Sequence, residues 1–154
     1  MEKKYEFVED DAQLWRDRTL RRIVAIRDFG DIKKGDLGGY IESESNLSQE
    51  NTCWVYDNAK VYGNAEVYGR AEVYGDAEVY GCAEVHSDAK VYGNARVYGH
   101  AVVYDDAEVY GCAEVYGCAK VHGNAEVYGR TEVHGRTEIY GHTKVDDDEK
   151  SFSQ

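Results

Sequence analysis

The stretch AKVYGNAEVYGR at residues 59–70 decides the fold, because it contains one six-residue unit twice. The unit reads small, charged, Val, Tyr, Gly, polar. From residue 59 to residue 145 it recurs in fifteen consecutive copies without an insertion, with Ala or Thr first and Val or Ile third. Weaker copies continue upstream in the same frame, at Cys53 with Val55, then at Leu47 and Ile41. Such a fixed period indicates a repeat architecture.

Side chains alternate within each unit. The small residue and the Val share one side, and the charged residue and the Tyr share the other. An alternation of two is typical of a short strand with one buried face. The Gly and polar residue that follow, as in Gly63-Asn64, allow the backbone to turn. Each unit is therefore predicted to be a short strand and a corner, and stacked coils of such units bury a continuous core.

The repeat resembles the hexapeptide-repeat left-handed β-helix proteins, in which an inward aliphatic residue is followed four positions later by a small one. Val61 with Ala65 and Val67 with Ala71 match that pattern. The resemblance implies an all-β fold, a single-stranded left-handed parallel β-helix with three hexapeptides per 18-residue coil and about five to six coils. The stretches GDLGGYIES at 35–43, NLS at 46–48 and CWVY at 53–56 are more specifically similar to uncharacterised bacterial and phage proteins named as hexapeptide transferases.

An 18-residue coil places residues eighteen apart directly above one another, about 4.8 Å apart. On two faces the charged positions would then alternate in sign, as Lys60, Glu78, Arg96 and Glu114 do on one of them. The third face is less regular. The aromatic positions form three edge ladders: Tyr56, Tyr74, Tyr92, Tyr110 and Tyr128; Tyr62, Tyr80, Tyr98, Tyr116 and His134; and Tyr68, His86, Tyr104, His122 and Tyr140.

We predict three segments: a small N-terminal β cap at 1–35, the β-helix at 36–145 and an acidic tail at 146–154. Residues 5–8 and 19–27 read as strands of the cap, with Trp15, Phe29 and Trp54 covering the first coil. A separate binding domain is the alternative for the cap, although 35 residues are few for an independent core. The tail is expected to block edge pairing; recruitment of a partner is the alternative.

The formal net charge of −12 repels phosphate backbones and anionic lipids, so we do not expect direct binding to nucleic acid or to a membrane surface. A basic protein partner remains open, as does the view that the charge only maintains solubility. No apolar run is long enough to span a bilayer and no signal core is visible, so we expect a cytoplasmic protein with free thiols. Cys53 is expected in the core, and Cys82, Cys112 and Cys118 at corners.

The five histidines, at 86, 100, 122, 134 and 142, all occupy regular repeat positions. Substitution within a stack explains them without catalysis. His86 and His122 would lie two coils apart with Tyr104 between them, too far for a metal site within one chain. We therefore predict no catalytic residue, no metal and no cofactor.

The sequence favours a non-catalytic interaction protein, an acidic rod that binds an unidentified protein and assembles as a homodimer or homotrimer. Two alternatives stay open: an acyl-CoA-dependent acyltransferase with its site between subunits, and a nucleic-acid mimic that inhibits a DNA- or RNA-binding protein. The ladders are either interaction surfaces or corner-stabilising stacks. The candidate interaction residues are Tyr56, Tyr74, Tyr92, Tyr110, Tyr128, Tyr68, His86, Tyr104, His122 and Tyr140.

Overall fold

The structure is a computed structural model that describes residues 2–146, and these residues form a parallel β-solenoid of six coils. Partners on neighbouring coils are eighteen residues apart; Val97, for example, pairs with Val79 on one side and Val115 on the other. The third position of every unit from Val61 to Val145 is at most 1% exposed. The expected 18-residue coil and inward Val column are thus confirmed. The left-handed winding remains what the family resemblance implies.

Each coil has three faces, which the chain visits in the order first, second, third. The first face carries β3 (Leu37–Ile41), β5 (Lys60–Val61), β8 (Glu78–Val79), β11 (Arg96–Val97), β14 (Glu114–Val115) and β17 (Glu132–Val133). The second carries β6 (Glu66–Val67), β9 (Glu84–Val85), β12 (Val102–Val103), β15 (Lys120–Val121) and β18 (Glu138–Ile139). The third carries β4 (Trp54–Val55), β7 (Glu72–Val73), β10 (Lys90–Val91), β13 (Glu108–Val109), β16 (Glu126–Val127) and β19 (Lys144–Val145).

The corners between faces depend on glycine. Gly99 has φ +67°, and a Cβ added there would lie 2.8 Å from the backbone nitrogen of Gly117 in the next coil. A side chain at this position would therefore be strained by its backbone angle and crowded by the neighbouring coil. This double constraint explains why Gly recurs every sixth residue.

The first coil departs from the predicted frame. Ile41 pairs with Val61 and Leu47 bridges to Val67, so these partners are twenty residues apart instead of eighteen. Ile41 and Leu47 therefore fill the Val column, and the sequence frame that placed them at small positions was wrong. The difference arises because the turn at 48–52 holds two more residues than the later corners. The 3₁₀ helix Glu44–Asn46 precedes this turn.

An antiparallel hairpin extends the first face beyond the first coil. Its strands are β1 (Tyr5–Trp15) and β2 (Arg18–Ala25), and β2 pairs antiparallel with β3. Arg16 and Asp17 both have positive φ, as a tight two-residue hairpin turn requires. The strand β1 is longer than the four residues predicted from sequence.

Lys4 anchors the start of this hairpin in the irregular first turn. The side chain is fully buried. Its ammonium donates hydrogen bonds to the carbonyl oxygens of Glu50, Asn51 and Cys53 at 3.2, 3.1 and 2.8 Å. These three bonds satisfy carbonyls that the regular ladder leaves without donors, which is how a buried cation is tolerated here.

Aromatic residues close the first coil. Phe29 lies 5.2 Å from the ring of Trp54, which is fully buried. Trp15, in contrast, lies along the side of the rod, where its indole nitrogen donates to Glu78 at 3.3 Å. The predicted tail at 146–154 lies outside the described residues except for its first residue. In the described part of the chain, no helix is long and apolar enough to cross a membrane.

Candidate functional site

The three aromatic ladders lie at the three edges of the rod, as the 18-residue register predicts. Neighbouring rings are parallel, with centroids 4.7–5.5 Å apart. The exception is Tyr56 on Tyr74, which cross at 79°. The edge after the first face carries the Tyr62 ladder, the edge after the second face the Tyr68 ladder, and the edge after the third face the Tyr56 ladder. Whether they bind a partner stays a prediction.

A hydrogen bond that the sequence reasoning missed fixes many of these tyrosines. The hydroxyl of residue i donates to the Glu at i+16, as from Tyr68 to Glu84 at 2.7 Å and from Tyr98 to Glu114 at 2.8 Å. Burial and this bond raise the pKa of Tyr68 to about 12. The bond requires Glu in the next coil, and for Tyr104 the equivalent residue is Lys120, which cannot accept. The acceptor lies two residues before the aromatic position of the next coil, which is at i+18, so the spacing of sixteen could have been predicted from the coil length.

Departures from the repeat concentrate at the edge of the Tyr68 ladder. There His replaces Tyr at 86 and 122, and Ser87 and Asp105 replace the corner Gly of two successive coils. We call these four residues the His86–His122 group. Ser87 and Asp105 keep the positive φ of the glycines they replace, 61° and 59°. Non-Gly residues in this region are strained, and such strain tends to persist where function requires the side chain.

His122 lies between two carboxylates. Its Nδ1 is 3.6 Å from Asp105 and its Nε2 is 3.6 Å from Glu138. The ring is held between Tyr104 at 4.7 Å and Tyr140 at 5.5 Å. The main-chain N–H of Gly123 donates a hydrogen bond of 3.0 Å to the same Asp105 carboxylate oxygen that faces Nδ1. The stack therefore orients the imidazole, and each of its two nitrogens faces a carboxylate.

His86 has a different environment two coils away. It stacks between Tyr68 at 4.7 Å and Tyr104 at 5.2 Å, and its Nδ1 is 3.2 Å from the Ser87 hydroxyl. Burial lowers the pKa of His86 below its usual value, despite the opposing effect of Glu84 and Asp105. The ring is therefore neutral at neutral pH, which leaves one nitrogen able to accept a proton.

The face beside this edge also departs from the repeat. Val102 is the only uncharged residue at the charged position between residues 60 and 144, and it pairs with Glu84 on one side and Lys120 on the other. The edge of the Tyr62 ladder differs, because Trp15 of the hairpin packs against the cluster that contains the Tyr62 ring, and Arg16 lies over the Tyr80 ring, 6.0 Å from its centroid. One edge is thus covered near its start, whereas the His86–His122 group lies beside an uncovered face.

The corner cysteines occupy the predicted places and are free thiols. Cys82 and Cys118 are exposed at the edge of the Tyr62 ladder, with His100 on the coil between them, and Cys112 is exposed at the edge of the Tyr56 ladder. Cys53 is buried, as expected. Within residues 2–146, no three His, Cys, Asp or Glu side chains come together in a way that could hold a metal ion.

The concave surfaces are shallow. One groove of about 320 Å³ lies beside the first coil, between the 3₁₀ helix and Tyr68. Another, lined by Tyr56, Asp57, Glu72 and Tyr74, lies where the Tyr56 and Tyr74 rings cross. Neither groove is lined by His86 or His122.

Comparison with known proteins gives one informative similarity. No protein-family model matches the chain. A stretch of 56 residues is 39% identical to an uncharacterized acetyltransferase, YdcK, of Escherichia coli strain K12. The aligned stretch covers 36% of this chain and 17% of the length of that relative. The six-coil solenoid and this similarity confirm the resemblance to hexapeptide-repeat proteins.

This similarity corrects the function expected from the sequence. A non-catalytic rod was the leading interpretation, and the acetyltransferase relative supports the acyltransferase alternative better. The error came from reasoning about where the histidines lie in the repeat. A regular position does not determine what the ring contacts, and for His122 the contacts are two carboxylates.

Proposed function

We propose that the protein is an acyl-CoA-dependent acyltransferase and that the His86–His122 group supplies its general base. The observation that carries the proposal is the placement of His122 between Asp105 and Glu138. Histidine is the most frequent general base in enzymes, because its unperturbed pKa lies near neutral pH. The similarity to an acetyltransferase supports the reaction class.

The reaction requires one proton transfer and one acyl transfer. His122 accepts the proton of an acceptor amine or hydroxyl, whose lone pair then attacks the thioester carbonyl. The carbon–sulfur bond breaks, and the proton passes to the departing thiolate, which leaves as the free thiol of CoA. Asp105 stabilises the imidazolium that forms in between, as a carboxylate beside a catalytic histidine does in hydrolases. His86 is a second imidazole on the same ladder.

The regular rod limits how such a site can be enclosed. Residues 59–145 contain no loop that protrudes from the coils, so a single chain offers one wall and no lid. A second molecule or the acceptor itself must then exclude water from the thioester. A cytoplasmic location, where acyl-CoA is available and the four cysteines stay reduced, is part of this proposal.

The test compares histidines on two ladders. His122→Tyr and His86→Tyr restore the residue that the repeat prefers, so both variants should fold as well as the original protein. Transfer is measured by the release of thiol from acetyl-CoA in the presence of a panel of amines and alcohols. We expect His122→Tyr to lower the rate at least 100-fold, in line with the usual contribution of a general base.

His134→Tyr is the matched control, because it makes the same change on the Tyr62 ladder. It should leave the rate unchanged. Calorimetry with acetyl-CoA provides a second readout that needs no acceptor. The absence of both binding and thiol release in the unmodified protein would refute the proposal, and so would an equal loss of rate in all three variants.

A further inference from the structure

The Tyr56 ladder is broken between its first two rings. Tyr56 and Tyr74 cross at 79° with centroids 5.9 Å apart, whereas Tyr74 and Tyr92 are stacked at 2° and 4.7 Å. The other described pairs of neighbouring ladder rings are stacked. The first two rings of this ladder therefore meet at a corner. A groove of about 220 Å³ opens there, lined by Tyr56, Asp57, Glu72 and Tyr74.

The crossing also removes a hydrogen bond that the ladders otherwise keep. Glu72 lies sixteen residues after Tyr56, the spacing at which a Glu accepts the tyrosine hydroxyl bond. The six other tyrosines with Glu at this spacing make the bond: Tyr62, Tyr68, Tyr92, Tyr98, Tyr110 and Tyr116. Among residues 2–146, the Glu72 carboxylate accepts no hydrogen bond and forms no ion pair, although Lys90 is its partner on the next strand. This carboxylate is thus available at the groove.

Asp57 supplies a second carboxylate. It replaces the corner Gly and has φ 57°. One of its oxygens accepts a hydrogen bond of 3.1 Å from the main-chain N–H of Gly75, which holds the carboxylate in place. Burial raises the pKa of Tyr56 to about 12, and the negative charges of Glu72 and Asp31 contribute to the shift. The negative potential that opposes loss of the phenol proton also attracts a cation.

We propose that this groove binds a quaternary ammonium group, with the rings of Tyr56 and Tyr74 against its methyl groups and the carboxylates of Asp57 and Glu72 beside it. A cation near the face of an aromatic ring is attracted by the electrons of that face. Two rings that cross can both contact one cation, whereas stacked rings cover each other's faces. The groove lies at a different edge from the His86–His122 group, so its binding of a cation is independent of the acyl transfer proposed above.

The groove suits this cation better than a metal ion or a primary ammonium. In the described part of the chain, no three His, Cys, Asp or Glu side chains are placed to hold a metal ion. A primary ammonium has three N–H donors to satisfy, and one oxygen of Asp57 already accepts from Gly75. A quaternary ammonium has no N–H group, so ring faces and nearby negative charge are sufficient to bind it.

The volume of the groove limits the size of the ligand. At about 220 Å³ it is smaller than the pockets of about 300–1,000 Å³ that enclose drug-sized molecules. The groove therefore accepts a small cation or the head group of a larger molecule, whose remainder would lie outside it.

The first experiment compares probes that differ in the head group. Choline carries a quaternary ammonium, ethanolamine a primary ammonium, and the neutral isostere 3,3-dimethylbutanol has the shape of choline without its charge. Calorimetry at constant ionic strength should show saturable binding of choline, at least about tenfold tighter than that of either analogue. The N-methyl proton resonance of choline should move upfield on binding, because the tyrosine ring currents shield it. Absence of choline binding, or equal binding of choline and either analogue, would overturn the proposal.

Matched substitutions on one ladder locate the site. Tyr56→Leu removes a ring of the groove and Glu72→Gln removes its unpaired charge, so each should weaken choline binding at least about fivefold. Tyr110→Leu and Glu126→Gln make the same changes three coils away, where the hydroxyl bond of 2.7 Å is intact, and should leave binding unchanged.

A conservative variant separates the loss of the ring from the loss of the fold. Tyr56→Phe keeps the ring and should retain both choline binding and the upfield shift, while circular dichroism verifies the fold of every variant. Equal losses at the two pairs of residues would contradict the site. Unchanged binding in both Tyr56→Leu and Glu72→Gln would contradict it as well.

Discussion

The edges of the Tyr62 and Tyr68 ladders share one backbone but differ in their side chains. Along the Tyr62 ladder the corner residues remain Gly from 63 to 135, and the hairpin covers its first two rings. Along the Tyr68 ladder the corner column contains Ser87 and Asp105, and the aromatic column contains two histidines. The backbone register is the same at both edges. The repeat therefore fixes the backbone of the coil, while the outward side chains can differ from one edge to another.

The largest contrast should come from Val97, which lies beneath the first face, and Val102, which lies on the outside of the second. Val97 is fully buried, so Val97→Asp places a charge in a dry interior and should cost several kcal/mol, enough to prevent folding. Val102→Asp should leave the fold intact. Thermal unfolding followed by circular dichroism measures both. Equal stability of the two variants would show that Val97 does not face inward.

The cover of the Tyr62 edge should depend on Lys4. Lys4→Met removes a donor from the part-buried carbonyl groups of Glu50 and Asn51 and from the buried one of Cys53, and we expect a loss of about 2 kcal/mol in the free energy of unfolding. Lys3→Met is the matched control, because Lys3 forms only an exposed ion pair with Glu44, 3.0 Å long. Its effect should be below about 1 kcal/mol. Urea unfolding of both variants tests the difference; similar losses would contradict the anchoring role of Lys4.

The corner residues at the two edges should respond with opposite signs. Gly99→Ser introduces positive-φ strain and a close approach to Gly117, and should destabilise the protein by about 1–2 kcal/mol. Ser87→Gly relieves the same kind of strain and should stabilise it by about 0.5–1 kcal/mol. Urea midpoints at constant slope measure both changes. A stabilising Gly99→Ser would mean that the next coil does not crowd this corner.

The smallest contrast concerns single hydroxyl groups. Tyr98→Phe removes the bond to Glu114 and should cost about 0.5–1 kcal/mol, whereas Tyr104→Phe should cost nearly nothing because Lys120 offers no acceptor. A double comparison by thermal unfolding resolves the two. A Tyr104→Phe loss as large as that of Tyr98→Phe would show that the i+16 bond is not the cause.

The same bonds predict how stability changes in alkali. The pKa of Tyr68 is raised from 10.0 to about 12, chiefly by burial and then by the bond to Glu84. The folded state therefore keeps the phenol proton longer than the unfolded state does. Its contribution to stability is complete below pH 10 and is lost as the pH rises through 12. Ultraviolet titration of the phenolate, combined with unfolding curves in that range, measures the effect.

The coil could be predicted from the sequence because every unit repeats the same pattern of residues. Fifteen copies place Val inward and Tyr at an edge, so the ladders and the charge columns follow from arithmetic. The first coil was misjudged because its turn at 48–52 is longer and occurs once. Lys4 was missed for the same reason: a single lysine has no period, and only the fold brings it to the carbonyl groups of that turn.

The position of the candidate site could be predicted from the sequence, but the contacts of its histidines could not. The sequence placed His86, Tyr104 and His122 on one ladder, and the rings do stack there. The sequence did not show that the Asp105 carboxylate would lie beside the His122 ring of the next coil. That contact depends on the backbone of Asp105, whose φ is 59°. Departures from a repeat are therefore more informative when mapped onto the coil than when counted along the chain.

The uniform hydrogen bonding between coils means that each coil adds the same rise along the rod. Each coil donates the same set of main-chain hydrogen bonds to the next, as Val102 does to Ala119 and Glu84 does to Ala101. Excision or insertion of eighteen residues would move every later residue along the rod by one coil and leave it on the same face. Evolution, or a protein engineer, could in this way set the spacing between two imidazoles in fixed steps while leaving the rest of the molecule alone.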